Sequence, residues 1–239
     1  MRENNNYTIV TGGSSGLGFE LSKFLVAEGK NIIIIGRNKE KLKKAQNKLS
    51  EMNGNSVVID YSLDISDESQ VDQFFDDLTA KKIKVNYLYN NAGKGFYGNV
   101  ENISRKEINQ VFNSNLIGLM LMTSRFISLT KNNGTYSRIV NILSTAALVG
   151  KKMESVYNSA KWGARGFLES VRDEMKGTNI DVIICCPGGM NTEFWNDIDS
   201  GYAFDTFMEP EWVAEKIIKT TTDERLVVTD LVINRRKFK

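Results

Sequence analysis

The stretch TGGSSGLG, from Thr11 to Gly18, directly follows the first apolar run of the chain. Its glycines have the spacing G-x-x-x-G-x-G. Glycine permits a tight turn and a close backbone approach to a pyrophosphate, and a helix that begins there offers free N–H groups and a positive dipole end. Such a turn can also merely close a loop, but its position between a strand and a helix favours a dinucleotide site. The residues predicted to line this site are Gly12, Ser14, Ser15, Gly16, Leu17 and Gly18.

Apolar runs of strand length alternate with amphipathic stretches of helix length along the whole chain. Strands this apolar, separated by helices, predict a parallel sheet covered on both faces. We therefore predict one α/β domain over residues 1–239, a doubly wound (Rossmann) seven-stranded sheet with helices on both faces. The predicted strands are Tyr7–Thr11, Asn31–Gly36, Ser56–Asp60, Val85–Tyr89, Arg138–Leu143, Asp181–Cys185 and Leu226–Ile233. The predicted helices are Gly16–Glu28, Lys39–Met52, Asp67–Lys81, Arg105–Thr130, Ser155–Lys176 and Pro210–Thr221.

Composition narrows the classes of function. Of 239 residues, 41% are hydrophobic and 25% charged, with a net charge of +2, which does not favour a nucleic-acid partner. The polar start lacks a signal-peptide core, and the longest aliphatic run, Ile32 to Ile35, is too short to span a bilayer. These features predict a cytoplasmic protein without a membrane partner. With no histidine, a Ser-His-Asp hydrolase and a His-ligated metal centre are excluded, and we predict no metal site.

Two residues four apart, Tyr157 and Lys161, indicate proton-transfer chemistry. In a helix, positions i and i+4 lie on one face, so the Lys161 ammonium can stand beside the Tyr157 phenol. Ser144 lies thirteen residues before Tyr157. Tyr157 and Lys161 could also be an ordinary surface pair, and Ser144 an ordinary cap or loop residue.

Arg37, just after the second predicted strand, bears on the choice of cofactor. Binders of NAD usually have an acid there for the ribose 2′-hydroxyl, whereas arginine can form a bidentate pair with a 2′-phosphate. A solvated arginine is the alternative. Asp64, after the third strand, either accepts a bond from the adenine amino group or caps the helix that begins near Asp67.

Taken together, the motifs resemble those of the short-chain dehydrogenase/reductase family, over essentially the whole chain from Tyr7. Each motif alone is weak, but their order and spacing are highly specific. The matching residues are the Thr11–Gly18 turn, Asn90–Gly93, Asn115, Ser144, Tyr157-x-x-x-Lys161, Pro187-Gly188 and Thr192.

The resemblance implies a set of roles for these residues. Tyr157 would be the general acid in reduction and the base in oxidation. Lys161 would lower the pKa of that phenol and bind the nicotinamide ribose. Ser144 would stabilise the carbonyl oxygen, and Asn115 would hold a water that resupplies protons. Asn115 is also unusual in itself, since an asparagine within an apolar helical stretch is unfavourable and needs partners.

The resemblance also implies cofactor contacts and an assembly. Asn91, Ala92 and Gly93 would frame the adenosine side, while Pro187, Gly188 and Thr192 would contact the nicotinamide end. With Arg37, the predicted cofactor is NADP(H) in preference to NAD(H). In this family the long fourth helix and the helix that carries Tyr157 pack against symmetry mates, which predicts a homodimer or homotetramer.

The loop over residues 188–209 is predicted to cover the substrate. It has no clear period and is rich in aromatic residues, and no pair of lysines or arginines near it suggests a phosphate handle. We expect a closing lid over an apolar or aromatic ketone or aldehyde, although these rings could merely pack the loop onto the body. The alternatives are a non-catalytic NADP(H)-binding sensor or scaffold, and a nucleotide-sugar epimerase or dehydratase, for which too few residues follow Pro187.

Overall fold

The apolar runs form seven parallel strands, and the stretches between them form helices on both faces of the sheet. The computed structural model describes residues 6–131, 134–196 and 202–236. The strands are β1 Asn6–Thr11, β2 Asn31–Gly36, β3 Val58–Ser62, β4 Lys84–Asn90, β5 Ser137–Ile142, β6 Ile180–Pro187 and β7 Asp230–Ile233. The helices are α1 Gly16–Ala27, α2 Lys39–Met52, α3 Glu68–Ala80, α4 Arg105–Phe112, α5 Gly118–Thr130, α6 Ser155–Glu174 and α7 Pro210–Thr221. The strand order β3-β2-β1-β4-β5-β6-β7 confirms the predicted doubly wound α/β fold.

Two apolar layers enclose the sheet, one on each face. One layer packs α3, α5 and α6 onto the strands, and the other packs α1, α2 and α7. In β2, Ile32 to Ile35 are all fully buried, and alternate isoleucines belong to opposite layers. The same alternation places the buried free thiols of Cys185 and Cys186 on opposite faces, as expected for neighbours in a strand.

The strand order reverses between β1 and β4, which opens a crevice at their carboxyl ends. Such switch points are where doubly wound folds bind ligands. Thr11 joins the two strand ends: its Oγ1 accepts from the backbone N–H of Asn91 at 2.9 Å and of Ala92 at 3.0 Å. The Asn91 side chain in turn donates to the Thr11 carbonyl at 3.0 Å. Residues 80 apart in sequence thus form one rigid rim.

The last strand is shorter than the predicted Leu226–Ile233. β7 begins at Asp230, which pairs with Ile184 of β6. Leu226 and Val227 are exposed, so their apolar side chains do not join the core. An edge strand pairs with one neighbour only, and it ends where that pairing ends. The periodicity of apolar residues does not show this point.

Most other boundaries agree with the prediction to within two residues, and the third strand and the fourth helix show how they differ. The strand predicted at Ser56–Asp60 lies two residues too early, because Ile32 near the start of β2 pairs with Val58. The predicted helix Arg105–Thr130 consists of α4 and α5 joined by a π-helical turn at Asn113–Ile117.

A fully buried arginine joins the amino-terminal end of β5 to the chain that follows α7. Arg138 Nη1 donates to the carbonyls of Thr221 at 2.7 Å and Asp223 at 3.2 Å. Its Nη2 donates to the Leu226 carbonyl and to Asp181 Oδ2, both at 3.1 Å. The same nitrogen also donates to the Tyr136 hydroxyl. A buried charge is tolerated only when it is paired and hydrogen-bonded, and here one guanidinium satisfies three backbone carbonyls.

Within the three described ranges, no helix has both the length and the apolar character needed to cross a bilayer.

Candidate active site

The glycine-rich turn forms a backbone cradle that side chains would fill. Gly12 and Gly16 have φ angles of +67° and +51°, a region that favours glycine. A Cβ on Gly18 would overlap the Gly12 carbonyl oxygen and lie 2.5 Å from the Asn91 amide nitrogen. A Cβ on Gly16 would meet Thr192 at 3.4 Å. The turn therefore keeps the start of α1 bare, which suits a group that approaches its N–H donors.

We expect Gly18→Ala to destabilise this cradle. Its methyl group would overlap backbone, so the free energy of unfolding should fall by about 1–3 kcal/mol, and the predicted NADP(H) cofactor should bind more weakly. Gly166→Ala is the matched control, since a Cβ there meets open space in the middle of α6 and alanine is the better helix former. Denaturant unfolding and calorimetric titration measure the two effects. Equal behaviour of the two variants would show that the cradle tolerates a side chain.

One cavity of about 920 Å³ runs from the glycine-rich turn to the helix that carries Tyr157. Among the predicted site residues, Ser14, Gly18, Arg37, Asp64 and Asn115 do not line it. Ser14 lies beside the end of β2, where a Cβ on Gly36 would be 3.5 Å from its hydroxyl. The predicted residues that line the cavity are Gly12, Ser15, Gly16, Leu17, Asn91, Ala92, Gly93, Ser144, Tyr157, Lys161, Pro187, Gly188 and Thr192.

Arg37 and Asp64 stand together, just after the ends of β2 and β3. Arg37 is 71% exposed at its side chain, and its Nη1 lies 3.9 Å from Asp64 Oδ2. The other Asp64 oxygen accepts from Ser66, from N–H at 3.0 Å and from Oγ at 2.8 Å. The idea that Asp64 caps the next helix is wrong, because the side chain of Asp67 caps α3 by accepting from Gln70 N–H.

Tyr157 and Lys161 are buried together on α6 rather than forming a surface pair. Lys161 Nζ lies 5.7 Å from the centroid of the Tyr157 ring and donates to the Ile142 carbonyl at 3.2 Å. Ser144 follows β5, and its Oγ accepts from the Ala146 N–H at 3.1 Å, so its hydroxyl hydrogen is free to point elsewhere. The end of β5 and the first two turns of α6 thus present a hydroxyl, a phenol and an ammonium to one cavity.

Burial dominates the ionisation of both groups. It raises the pKa of the Tyr157 phenol well above its ordinary value, and the nearby Glu154 raises it further, whereas a hydrogen bond with Ser144 lowers it. Desolvation of the phenolate dominates this pKa in the structure, and a lowering of it by Lys161 stays a prediction. Burial also lowers the pKa of Lys161 to about 8. The structure therefore holds a protonated phenol beside an amine that titrates near neutral pH.

Asn115 lies behind this pair, in the π-helical turn between α4 and α5. Its Nδ2 donates to the carbonyls of Lys94 at 2.8 Å and Val111 at 2.9 Å. Its Oδ1 is buried and accepts no hydrogen bond within the described part of the chain. A Cβ on Gly93 would lie 2.6 Å from that oxygen and 3.7 Å from Lys161 Nζ, so both groups border the same small space. Local π turns are frequent at functional sites.

The cavity has an aromatic wall built from both arms of the predicted substrate loop. The arms are joined backbone to backbone, since Asn191 N–H donates to the Met208 carbonyl at 2.9 Å. Trp195 packs against Phe207 at 5.5 Å, and Phe194 faces the Tyr157 ring at 6.0 Å, measured between ring centroids. The rings thus pack the described arms onto the body. Residues 197–201 of this loop lie outside the described residues, and closure of a lid stays a prediction.

Charged residues that the sequence reading missed also line the cavity, including Lys151, Glu154 and Arg235. The expectation that no basic pair lies near the substrate loop is therefore wrong. Glu154 could have been found, because it lies three residues before Tyr157 and hence on the same side of α6. Arg235 could not have been found in this way, because it reaches the substrate loop only through the position of β7 at the edge of the sheet.

The family model for the short chain dehydrogenases matches residues 6–203. A short-chain dehydrogenase/reductase from Vibrio parahaemolyticus has 32% identity and a TM-score of 0.84, over 97% of this chain and 98% of that one. A serine dehydrogenase solved with NADP+ has 25% identity and a TM-score of 0.84, over 95% of this chain and 94% of that one. A ketoacyl reductase from Nostoc is 26% identical over 236 residues, which is 95% of this chain and 78% of the relative. The chain belongs to the short-chain dehydrogenase/reductase family of oxidoreductases.

Proposed function

We propose that this oxidoreductase uses NADP(H) to reduce a ketone or aldehyde to an alcohol. The observation that carries the proposal is the single cavity that joins the glycine-rich cradle to Ser144, Tyr157 and Lys161. The bare start of α1 fits a pyrophosphate, and Gly188 and Thr192 line the end where a nicotinamide would lie. The serine dehydrogenase solved with NADP+ and the Nostoc ketoacyl reductase support this choice of cofactor and reaction.

Tyr157 is the proposed proton donor. When bound, the reduced nicotinamide supplies a hydride to the carbonyl carbon, and the carbonyl oxygen then needs a proton. Burial keeps the Tyr157 phenol protonated at neutral pH, so that it can act as the acid in the reductive direction. The Ser144 hydroxyl, on the same wall, donates a hydrogen bond to that oxygen and stabilises its developing charge.

Lys161 and Asn115 return the proton. The Lys161 ammonium favours the phenolate that forms when Tyr157 gives up its proton, since opposite charges attract strongly in a buried site. Its pKa of about 8 allows it to gain and lose a proton near neutral pH. The free Asn115 Oδ1 is an acceptor for a water in the space beside Lys161 Nζ, through which the proton is replaced.

Arg37 is the proposed determinant of cofactor preference. Its exposed guanidinium can leave the 3.9 Å contact with Asp64 at little cost and pair with a 2′-phosphate. We expect Arg37→Asp to reverse the preference, because a carboxylate repels the phosphate and accepts from a 2′-hydroxyl. The measurement is the ratio of kcat/KM for NADPH to that for NADH. Lys43→Asp, which removes another exposed cation close to an aspartate, is the control, and a wild-type preference for NADH would contradict the assignment.

The direct test of function is consumption of NADPH and NADH against a panel of ketones, aldehydes and diketones. Reduction of at least one carbonyl class would support the proposal. Tight cofactor binding with no turnover on any class would favour the sensor or scaffold instead.

We further propose that the chain works as one cofactor-binding and catalytic unit that self-associates as a homodimer or homotetramer. The exposed Trp162 on α6 and Ile117 beside α5 support association through these helices.

A further inference from the structure

A buried carboxylate with incomplete pairing lies on the substrate side of the cavity. Glu154 is 3% exposed and precedes α6, one turn before Tyr157. Its Oε1 accepts from the Tyr202 hydroxyl at 2.7 Å. Its Oε2 has, among the described residues, only the Lys151 ammonium as a charged partner, at 4.0 Å, which is too long for a hydrogen bond.

Burying a carboxylate that few donors satisfy lowers the stability of the fold. A carboxylate has about four acceptor sites, and a buried one is normally satisfied by several donors. Here a single phenol donates to it, and Glu154 lines the cavity that Ser144 and Tyr157 also line. The proposed reaction uses Glu154 in no step, so its position calls for another role.

Lys151 completes a donor and acceptor pair. Its Nζ donates to Thr145 Oγ1 at 3.2 Å and keeps further donors for another partner. One ligand oxygen can lie within hydrogen-bond distance of both Lys151 Nζ and Glu154 Oε2. It would accept from the Lys151 ammonium and donate to the Glu154 carboxylate. A hydroxyl group meets that demand. A carboxylate would be repelled by Glu154, and an ammonium by Lys151.

We infer that Glu154 and Lys151 bind a hydroxyl group of the substrate, so that the enzyme selects hydroxylated carbonyl compounds. The recognised hydroxyl and the carbonyl oxygen that Tyr157 protonates then lie in the same cavity. The aromatic wall, with Phe194 facing Tyr157, packs against the apolar part of the same molecule. This inference rests on the proposed function and names the substrate class within it.

The test uses acetophenones with one group varied at the meta or para position: hydroxymethyl, ethyl, aminomethyl or carboxylate. We expect the hydroxymethyl compound to exceed the ethyl compound by about tenfold or more in kcat/KM with NADPH, the size of a hydrogen bond to a charged group. Glu154→Leu should bring this ratio close to one. Glu154→Gln keeps the shape and one acceptor oxygen, and should lower the ratio without abolishing it. Glu174→Leu, exposed at the far end of α6, is the control and should keep the wild-type ratio.

Calorimetric binding of the same compounds separates this inference from the proposed function. Selective binding of the hydroxymethyl compound without turnover of any compound would overturn the proposed function and support hydroxyl recognition. Turnover with equal use of the hydroxymethyl and ethyl compounds would overturn hydroxyl recognition alone. A preference that survives in both Glu154 variants would also overturn it.

Discussion

Tyr157→Phe should lower turnover by roughly two to four orders of magnitude, the usual size of a general acid–base contribution. The substitution removes the transferable proton and keeps the buried ring, its contact with Phe194 and the shape of the cavity. Affinity for NADPH should therefore change little. Steady-state kinetics at saturating cofactor, with calorimetry for NADPH, measures both quantities.

Tyr61→Phe is the matched control for Tyr157→Phe. It also deletes one phenolic hydroxyl, but that hydroxyl donates to Asp77 at 2.7 Å and lies on β3, away from the cavity. Turnover of this control should stay near that of the wild type. If Tyr157→Phe kept more than a tenth of wild-type turnover, Tyr157 would not be the proton donor.

Arg138→Met should lower the free energy of unfolding by about 3–5 kcal/mol, the usual result of removing one partner from a buried ion pair. The loss leaves the carbonyl at the end of α7 and two carbonyls of the segment between α7 and β7 without their donor, and Asp181 without its cation. Denaturant unfolding measures the global loss. Hydrogen exchange should show the largest local loss of protection in that segment.

Arg125→Met is the control for Arg138→Met. Arg125 also pairs with two carboxylates, Asp72 and Glu68, but its side chain is 32% exposed. Solvent screens such pairs, so the control should be far less destabilised. An equal fall in the free energy of unfolding of the two variants would show that burial does not make the Arg138 contacts more stabilising.

Local spacing predicted the parts of the site that lie within one element or one turn. The glycines between Gly12 and Gly18 specify a turn that only glycine fits, and Tyr157 and Lys161 share a helix face because of their i and i+4 spacing. Apolar runs such as Ile32 to Ile35 similarly predicted a sheet buried on both faces, because strands covered by helices are apolar throughout.

Only the tertiary structure decided the environment of those residues. The pKa of Tyr157 depends on the surrounding burial, which the four-residue spacing to Lys161 does not contain. The contact of Tyr202 with Glu154 joins residues 48 apart, and Arg138 reaches carbonyls more than 80 residues away. Sequence periodicity reports which face of an element is apolar, whereas desolvation and long-range hydrogen bonds depend on which elements finally meet. The chain's family could therefore be predicted from its motifs, whereas the charged side chains of Lys151 and Glu154 beside the cavity became visible only in the folded protein.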